Sequence, residues 1–201
     1  MERIVSLTAD DFDYYLDESL IAQTPSDDRA GSRMMHLDRE LAEIKHDNFV
    51  NFTEYLKPED VLVFNDTKVF PARLFGTKET GGKIECLVER ICSEKIVLAH
   101  IKSSRSPKPG AILTFLDQFQ AKVLTRQDEL FELEFLIDRP ILDVLEEYGR
   151  LPLPPYIQRE PSADDYERYQ TIFAKNTGAV AAPTAALHFD DATLTRIKNL
   201  G

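Results

Sequence analysis

Apolar and polar positions alternate along the middle of the chain, and this two-residue period predicts β-strands. Between residues 67 and 137, turn-forming clusters separate six short segments that are rich in β-branched or aromatic residues. No helical spacing occurs between these segments, which together predict a small antiparallel barrel or sandwich; we favour the barrel. The segments are KVFPARLFG, KIECLVERI, KIVLAHIK, AILTF, QAKVL and LFELEFLI.

The chain before the barrel mixes helical and strand patterns. Over residues 11–22, helical spacing predicts a helix with apolar side chains on one side. Residues 34–46 alternate as a hairpin, and a short helix over 49–56 follows, with Asp47 and Asn48 as its cap. VLVFN, at 61–65, is a continuous apolar run that is typical of a buried strand. The apolar residues of the first helix are Phe12, Tyr15, Leu16 and Leu20.

After the barrel the patterns are mainly helical. A helix over 141–149 is expected to close at Gly149, where glycine permits a left-handed cap. The proline-rich stretch 151–159 must be extended, because proline cannot continue a helix. Two further helices are predicted: one over 164–170, and a last one that Asp190 or Asp191 caps and that stops at 199–201.

Together these elements predict a two-part architecture. An α/β domain, formed by residues 1–66 and 139–201, is interrupted by an inserted small antiparallel β-barrel domain at 67–138. Because the last pattern ends at a helix stop, we expect the α/β domain to be incomplete at its C-terminus.

Composition narrows the class of protein. No apolar run approaches the roughly 20 residues that span a bilayer, and residues 1–9 lack a signal-peptide pattern, so we expect a cytoplasmic protein. Two cysteines, Cys86 and Cys92, do not form a disulfide framework and are expected to be reduced. The net charge of −11 argues against broad nucleic-acid binding. Residues 68–126 nevertheless carry eleven Lys and Arg against five acids, which indicates either a solvated strand surface or a local basic face.

Polar residues after the predicted strand 61–65 form the first candidate site. Asn65, Asp66 and Thr67 would lie at its carboxyl end, where ligand sites are common, although Asx turns explain the same residues. Near them, Lys68 and Arg73 can neutralise phosphate or carboxylate groups.

Two further segments carry candidate chemistry. The stiff loop LPLPPYIQR presents Tyr156 and Arg159, or is a domain linker. AAPTAALHF contains Thr184 and His188 among small residues that would allow a planar ligand to approach. His188 is either a general acid or base or a satisfied core histidine. Dinucleotide, P-loop, HExxH, CxxC and GxSxG motifs are absent from the sequence, and its four histidines are scattered, so we expect no metal site.

Several blocks, in the same order, resemble the S-adenosylmethionine:tRNA ribosyltransferase-isomerase family of queuosine biosynthesis, in its N-terminal portion. The resemblance departs from the family pattern at Asp17, Lys68 and Ala186, where the family usually has Pro, Arg and Gly. Family members are also considerably longer. The blocks are FDYYLDESLIAQTP, the region of residues 29–33, VFNDTKVFPARLFGTKETGGKIECLVER, LPLPPYI with Arg159, YQTIFA and AVAAPTAALHF.

The resemblance implies a specific reaction. The ribosyl part of S-adenosylmethionine, a substrate rather than a cofactor, would be transferred to the aminomethyl group of preQ1 at the tRNA wobble position. Epoxyqueuosine would form, and adenine and methionine would leave. The resemblance implies no metal. From the lack of a long apolar run we expect no membrane partner, and we expect a monomer.

Within that reaction, the matching blocks suggest roles for single residues. We expect acid–base function from His188 with Asp66 or Tyr156 as its partner, and donor carboxylate or RNA phosphate binding by Arg73 and Arg159. The remaining candidates are Asn65, Thr67 and Thr184 for substrate binding, and Lys102, Arg105 and Lys108 for tRNA binding. Two alternatives stay open: a tRNA-binding module without catalysis, and an unrelated small-molecule enzyme that uses the same cleft.

Overall fold

The computed structural model describes residues 7–200. Within that range, the α-helices are α1 (Ile141–Tyr148), α2 (Ala163–Arg168) and α3 (Asp191–Lys198). None of the described helices has the length and apolar character needed to cross a membrane. The strands are β1 (Arg33–Asp38), β2 (Glu43–Asn48), β3 (Thr67–Val69), β4 (Arg73–Lys78), β5 (Lys83–Ile91), β6 (Ile96–Ser103), β7 (Ile112–Phe115), β8 (Phe119–Gln127), β9 (Leu130–Phe135) and β10 (Asn176–Ala179).

Six strands close into an antiparallel barrel in the order β4-β5-β6-β9-β8-β7, which confirms the predicted barrel. Alternate residues point inward, because successive side chains of a strand face opposite sides. The closure between β4 and β7 requires Gly76, since a Cβ there would lie 2.3 Å from the carbonyl oxygen of Thr114. Helix α1 packs Ile141, Val144 and Leu145 against the barrel core and so covers part of it.

Outside the barrel, β3 and β10 form a parallel pair and β1 and β2 form the predicted hairpin. The architecture is therefore an α/β part with an all-β barrel, as the sequence predicts. The predicted inserted domain begins at residue 67, whereas the barrel's own strands begin at Arg73, and β3 pairs outside the barrel. The division of the chain into domains stays a prediction.

The predicted helix over 11–22 is wrong. Two short 3-10 helices, Ala9–Phe12 and Glu18–Leu20, occupy part of this stretch. The Asp17 side chain accepts a hydrogen bond from the amide of Ser19, so it starts a new turn rather than continuing a helix. All four side chains of the predicted apolar face are exposed, and therefore no packing stabilises an α-helix here.

The predicted buried strand over 61–65 is also wrong. Residues 61–65 form neither strand nor helix, and Val61 and Val63 are 85% and 91% exposed. An apolar run becomes a buried strand only where neighbouring elements cover both of its faces. Among the described residues, Phe64 alone in this run has aromatic partners, in Phe173 and Phe189.

The remaining predicted helices are present, with differences in type or length. The helix after Asn48 is a 3-10 helix, Phe49–Tyr55, and α2 ends at Arg168 rather than residue 170. Gly149 follows α1 but is not left-handed (φ −72°); a Cβ would instead lie 1.9 Å from the carbonyl oxygen of Pro71. Asp190 caps α3 by accepting a hydrogen bond from the Thr193 amide at 2.6 Å. Of the predicted stop, residue 201 lies outside the described residues.

Both cysteines are free thiols. Cys86 lies in the barrel core, and burial raises the pKa of its thiol to about 12. Cys92 is exposed at the end of β5.

Candidate functional site

A pocket of about 230 Å³ lies between the N-terminal segment, the proline-rich loop, α2 and the 3-10 helix Thr184–His188. Its wall is mainly apolar, as expected for a small-molecule site. Three of the predicted site residues, Tyr156, Arg159 and Thr184, line it together. The structure thus brings together residues from the proline-rich segment and the AAPTAALHF segment.

Arg159 is held on one side of this pocket by Asp165, the third residue of α2. Its two terminal nitrogens lie 2.5 and 2.8 Å from the carboxylate oxygens of Asp165, which is a bidentate pair. This guanidinium and the Ser162 amide hold the pKa of the Asp165 carboxyl well below its usual range. The carboxylate is therefore the counterion of Arg159. Few hydrogen-bond donors of this guanidinium remain free to bind a substrate anion.

Gln23 joins the N-terminal segment to the proline-rich loop. Its carbonyl oxygen accepts a hydrogen bond from Arg159 Nε at 2.7 Å. Its side-chain amide donates to the Tyr156 carbonyl at 3.1 Å and accepts from the Gln158 amide at 2.7 Å. These bonds fix the loop that presents Tyr156 against a segment more than 130 residues away in sequence. We name Gln23, Arg159 and Asp165 the clasp.

A second set of contacts fixes the same segment to α2. Arg168 donates to the carbonyl oxygens of Ser26 and Asp27 at 2.7 and 3.0 Å. In return, Arg29 donates to the carbonyls of Glu167 and Gln170, each at 2.9 Å. Burial, followed by the nearby charge of Arg168, lowers the pKa of Arg29. Because the acceptors are backbone carbonyls, the residue types that supply them give no indication of these contacts in the sequence.

His188 is the last residue of the 3-10 helix whose first residue, Thr184, lines the pocket. Its half-buried ring lies 5.3 Å from the ring of Phe49, centroid to centroid, in an aromatic cluster with Phe52 and Phe189. His188 is therefore close in sequence to residues that line the pocket, but it does not line the pocket itself.

Asn65 and Asp66 lie before β3, and Thr67 is its first residue, so none of them lies at the carboxyl end of a buried strand, which corrects their predicted placement. Asn65 accepts a hydrogen bond from the Thr67 amide at 2.9 Å, which is the Asx turn that the sequence left open. The Asp66 carboxylate accepts from Asn176 at 2.8 Å. None of the three lines the pocket, so the structure does not bring them to Tyr156.

Arg73 begins β4 and exchanges backbone hydrogen bonds with Arg150. Its Nε lies 3.1 Å from Glu85 Oε1 in an ion pair, although the geometry does not make a hydrogen bond. One terminal nitrogen reaches the Leu153 carbonyl at 3.4 Å, which is a long hydrogen bond. Arg73 thus connects the barrel to the proline-rich loop and does not line the pocket.

The predicted tRNA-binding residues lie at one end of the barrel. Lys102 is near the end of β6, and Arg105 and Lys108 lie in the exposed loop that follows. The ammonium group of Lys78 donates to the Arg105 carbonyl at 2.7 Å, so it belongs to the same basic end. The sequence alone did not single out Lys78, because strand pairing within the barrel brings its strand beside this loop.

No group of three potential metal ligands among His, Cys, Asp and Glu occurs within residues 7–200. The predicted absence of a metal and of a cofactor stays a prediction.

The fold and the site define a class of protein in which an antiparallel barrel lies beside a small α/β part, with an apolar pocket at the proline-rich loop. Residues 9–201 match the family described as queuosine biosynthesis protein, and the chain belongs to that family. S-adenosylmethionine:tRNA ribosyltransferase-isomerase of Coxiella burnetii (strain Dugway 5J108-111) is 53% identical over 191 residues, which is 95% of this chain and 56% of the relative. The protein of the same name from strain CbuG_Q212 is 52% identical over the same shares.

A solved structure is also similar in sequence. The crystal structure of S-adenosylmethionine tRNA ribosyltransferase from Thermotoga maritima is 28% identical, with a TM-score of 0.41. The match covers 94% of this chain and 54% of that one. The chain therefore spans about half the length of the relatives it matches.

Proposed function

We propose that the protein acts in queuosine biosynthesis as an S-adenosylmethionine:tRNA ribosyltransferase-isomerase. The ribosyl group of S-adenosylmethionine is transferred to the aminomethyl group of preQ1 at the tRNA wobble position and isomerised. Epoxyqueuosine forms, and adenine and methionine are released. The observation that carries this proposal is 53% identity, over 95% of the chain, to relatives that bear this name.

The pocket is our candidate for binding S-adenosylmethionine. Its apolar wall suits the adenine ring, and Thr184 and Tyr156 offer hydroxyl groups at its edge. We assign Arg159 the role of holding the proline-rich loop through the clasp, because its guanidinium is already paired with Asp165. A donor carboxylate or RNA phosphate that extends beyond the pocket would then be bound by Arg73, with Asn65 and Thr67 as further substrate contacts outside the pocket.

The reaction needs a base for the proton next to the sulfonium and an acid for the departing adenine. We propose His188 for acid–base function and favour Tyr156 over Asp66 as its partner. Tyr156 lines the pocket, whereas the Asp66 carboxylate lies outside it and is hydrogen-bonded to Asn176.

The direct test is an assay of the 201-residue chain with S-adenosylmethionine and an anticodon stem-loop that contains preQ1. RNA-dependent release of adenine is the expected result if these residues hold a complete site. A full-length Coxiella relative is the positive control, and RNA without preQ1 is the negative one. Release that does not need preQ1 would favour the unrelated small-molecule enzyme.

In a full-length enzyme, normal turnover of His188→Ala would contradict the acid–base assignment, with His46→Ala as the matched control.

For the RNA, we propose the basic end of the barrel as the contact surface. Replacing Lys102, Arg105 and Lys108 with Ala should weaken stem-loop binding and lower its dependence on salt, because fewer counterions are released. A triple variant at Lys45, Lys57 and Lys198 removes the same charge outside the barrel and should bind normally. Equal losses in both variants would argue against this surface.

A second candidate function is a tRNA-binding module without catalysis. The observation that favours it is the basic end of the barrel, where none of Lys78, Lys102, Arg105 and Lys108 lines the pocket. Stem-loop binding without adenine release, and without binding of S-adenosylmethionine, would identify this case.

We also propose that the protein is cytoplasmic and monomeric. Size-exclusion chromatography with light scattering tests the oligomeric state.

A further inference from the structure

Two tyrosine rings, those of Tyr156 and Tyr169, line the pocket. Tyr156 is 49% exposed, whereas Tyr169 is 9% exposed and forms part of the wall. Within residues 7–200, neither ring packs against another aromatic ring, and neither has a cation over its face. In the barrel, by contrast, Arg126 lies over Phe131 at 5.0 Å from the ring centroid. The faces of the two pocket rings are therefore available to a ligand that carries a positive charge.

Tyr169 is fixed by the residues on either side of it in the chain. Its amide donates to the Asp165 carbonyl at 2.8 Å at the end of α2. The side chain of Gln170 accepts from the Val69 amide at 2.9 Å and donates to the Val69 carbonyl at 2.6 Å, which joins this segment to β3. Tyr169 also packs in one apolar cluster with Leu153, a second residue of the pocket wall. A ring held in this way loses little freedom when a ligand binds against it.

The charges of the pocket wall leave a bound cation few other partners. Among the described residues that line the pocket, Asp165 alone carries a carboxylate, and Arg159 binds both of its oxygens. The remaining charged group of the wall is the guanidinium of Arg168, which is positive and repels a cation. Aromatic rings attract a cation through the negative potential of their faces, and the attraction is stronger where water is excluded. The two tyrosine rings are therefore the groups of this wall that favour a sulfonium.

We propose that Tyr169, together with Tyr156, recognises the sulfonium of S-adenosylmethionine and so distinguishes it from the neutral thioether S-adenosylhomocysteine. The inference rests on the proposed function, which puts S-adenosylmethionine in this pocket, and it adds Tyr169 to the substrate-binding residues. The contact also favours release of the product. When the bond between sulfur and the ribosyl carbon breaks, its electron pair stays on sulfur, so methionine leaves as a neutral thioether that the rings no longer attract as a cation.

The experiment is isothermal titration calorimetry of the 201-residue chain with S-adenosylmethionine, S-adenosylhomocysteine and adenosine. The wild-type chain should bind S-adenosylmethionine at least about fivefold more tightly than S-adenosylhomocysteine. Tyr169→Leu should bring this ratio close to one, because leucine keeps an apolar contact for the sulfonium methyl group but has no ring. Tyr169→Phe keeps the ring and should retain the ratio. Tyr166→Leu is the matched control, since Tyr166 lies in α2 but outside this pocket and should leave the ratio unchanged.

Tyr156→Leu provides a second variant at an exposed position and decides the matter if Tyr169→Leu does not fold; it should lower the ratio as well. A ratio that both leucine variants leave unchanged would overturn the proposal, as would a wild-type chain that binds neither sulfur compound. Equal losses of affinity for adenosine and S-adenosylmethionine would also overturn it, because the rings would then contact the adenine. Preferred binding of S-adenosylmethionine without RNA-dependent release of adenine would contradict the proposed reaction and leave the sulfonium contact standing.

Discussion

The barrel and the segments around it differ in how completely they bury their apolar side chains. In the barrel, Val88, Val97 and Leu133 have no accessible surface. Among the described residues, fourteen of the twenty exposed large apolar side chains precede residue 65, and two lie within residues 73–135. A closed antiparallel barrel obtains a partner for each strand from nearby sequence. The flanking segments depend on contacts from distant parts of the chain, and some of their faces remain uncovered.

The largest expected effect compares the same substitution in the two regions. Phe115→Ala removes a fully buried ring from the barrel and should lower the free energy of unfolding by about 3–5 kcal/mol. Phe12→Ala removes a ring that is 66% exposed and should change it by less than about 0.5 kcal/mol. Urea denaturation followed by circular dichroism measures both. Similar losses at the two positions would mean that the flank is packed as tightly as the barrel.

The next effect concerns the clasp, where the flank is well ordered. Asp165→Asn leaves the Arg159 guanidinium without its counterion and should cost about 2–3 kcal/mol, less than a fully buried pair because Arg159 is partly exposed. Glu160→Gln is the matched control, since the Arg150–Glu160 pair is solvent-exposed and should contribute less than about 1 kcal/mol. Equal effects in the two variants would show that the clasp does not hold the loop.

The same pair predicts a pH dependence. The folded-state pKa of Asp165 is lowered, so its stabilisation is fully present above the unfolded value of about 3.9 and is lost as pH falls below it. Between pH 5 and pH 2.5, wild-type protein should therefore lose more stability than Asp165→Asn. Thermal melts across this range measure the difference, and parallel curves would contradict the assignment.

A smaller effect is expected at the cap of α3. Asp190→Ala removes the hydrogen bond to the Thr193 amide and should cost about 1 kcal/mol. Asp191→Ala is the control, because Asp191 is exposed in the first turn and its side chain has no capping bond. A change in the melting temperature of Asp191→Ala as large as that of Asp190→Ala would exclude capping as the reason.

The same contrast explains what the sequence predicts and what it does not. Barrel strands are predictable because their alternation, as in Ile84, Cys86 and Val88, is satisfied by neighbours along the chain. The run at 61–65 carries the pattern of a buried strand, but the described residues leave Val61 and Val63 exposed. Tyr156, Arg159 and Thr184 were singled out by residue type, and the structure places them in one pocket.

The clasp and the contacts of Arg29 and Arg168 were missed for a physical reason. Their acceptors include backbone carbonyls of residues more than 130 positions away, and any residue type supplies a carbonyl. Asp165 did carry a signal, because Ser162 followed by an acid three residues later is the pattern of a capping box. That pattern predicts the start of α2 but not the pairing of Asp165 with Arg159.

The smallest expected effect tests the exposed run in the chain alone. Val63→Ser removes apolar surface that is already 91% exposed, so the free energy of unfolding should change by less than about 0.5 kcal/mol. Val88→Ser makes the same change at a buried position of β5 and leaves a hydroxyl and a cavity in the barrel core, so it should cost several-fold more. Urea denaturation of both variants decides the matter. A cost at Val63 approaching that at Val88 would mean that the run is already buried in solution.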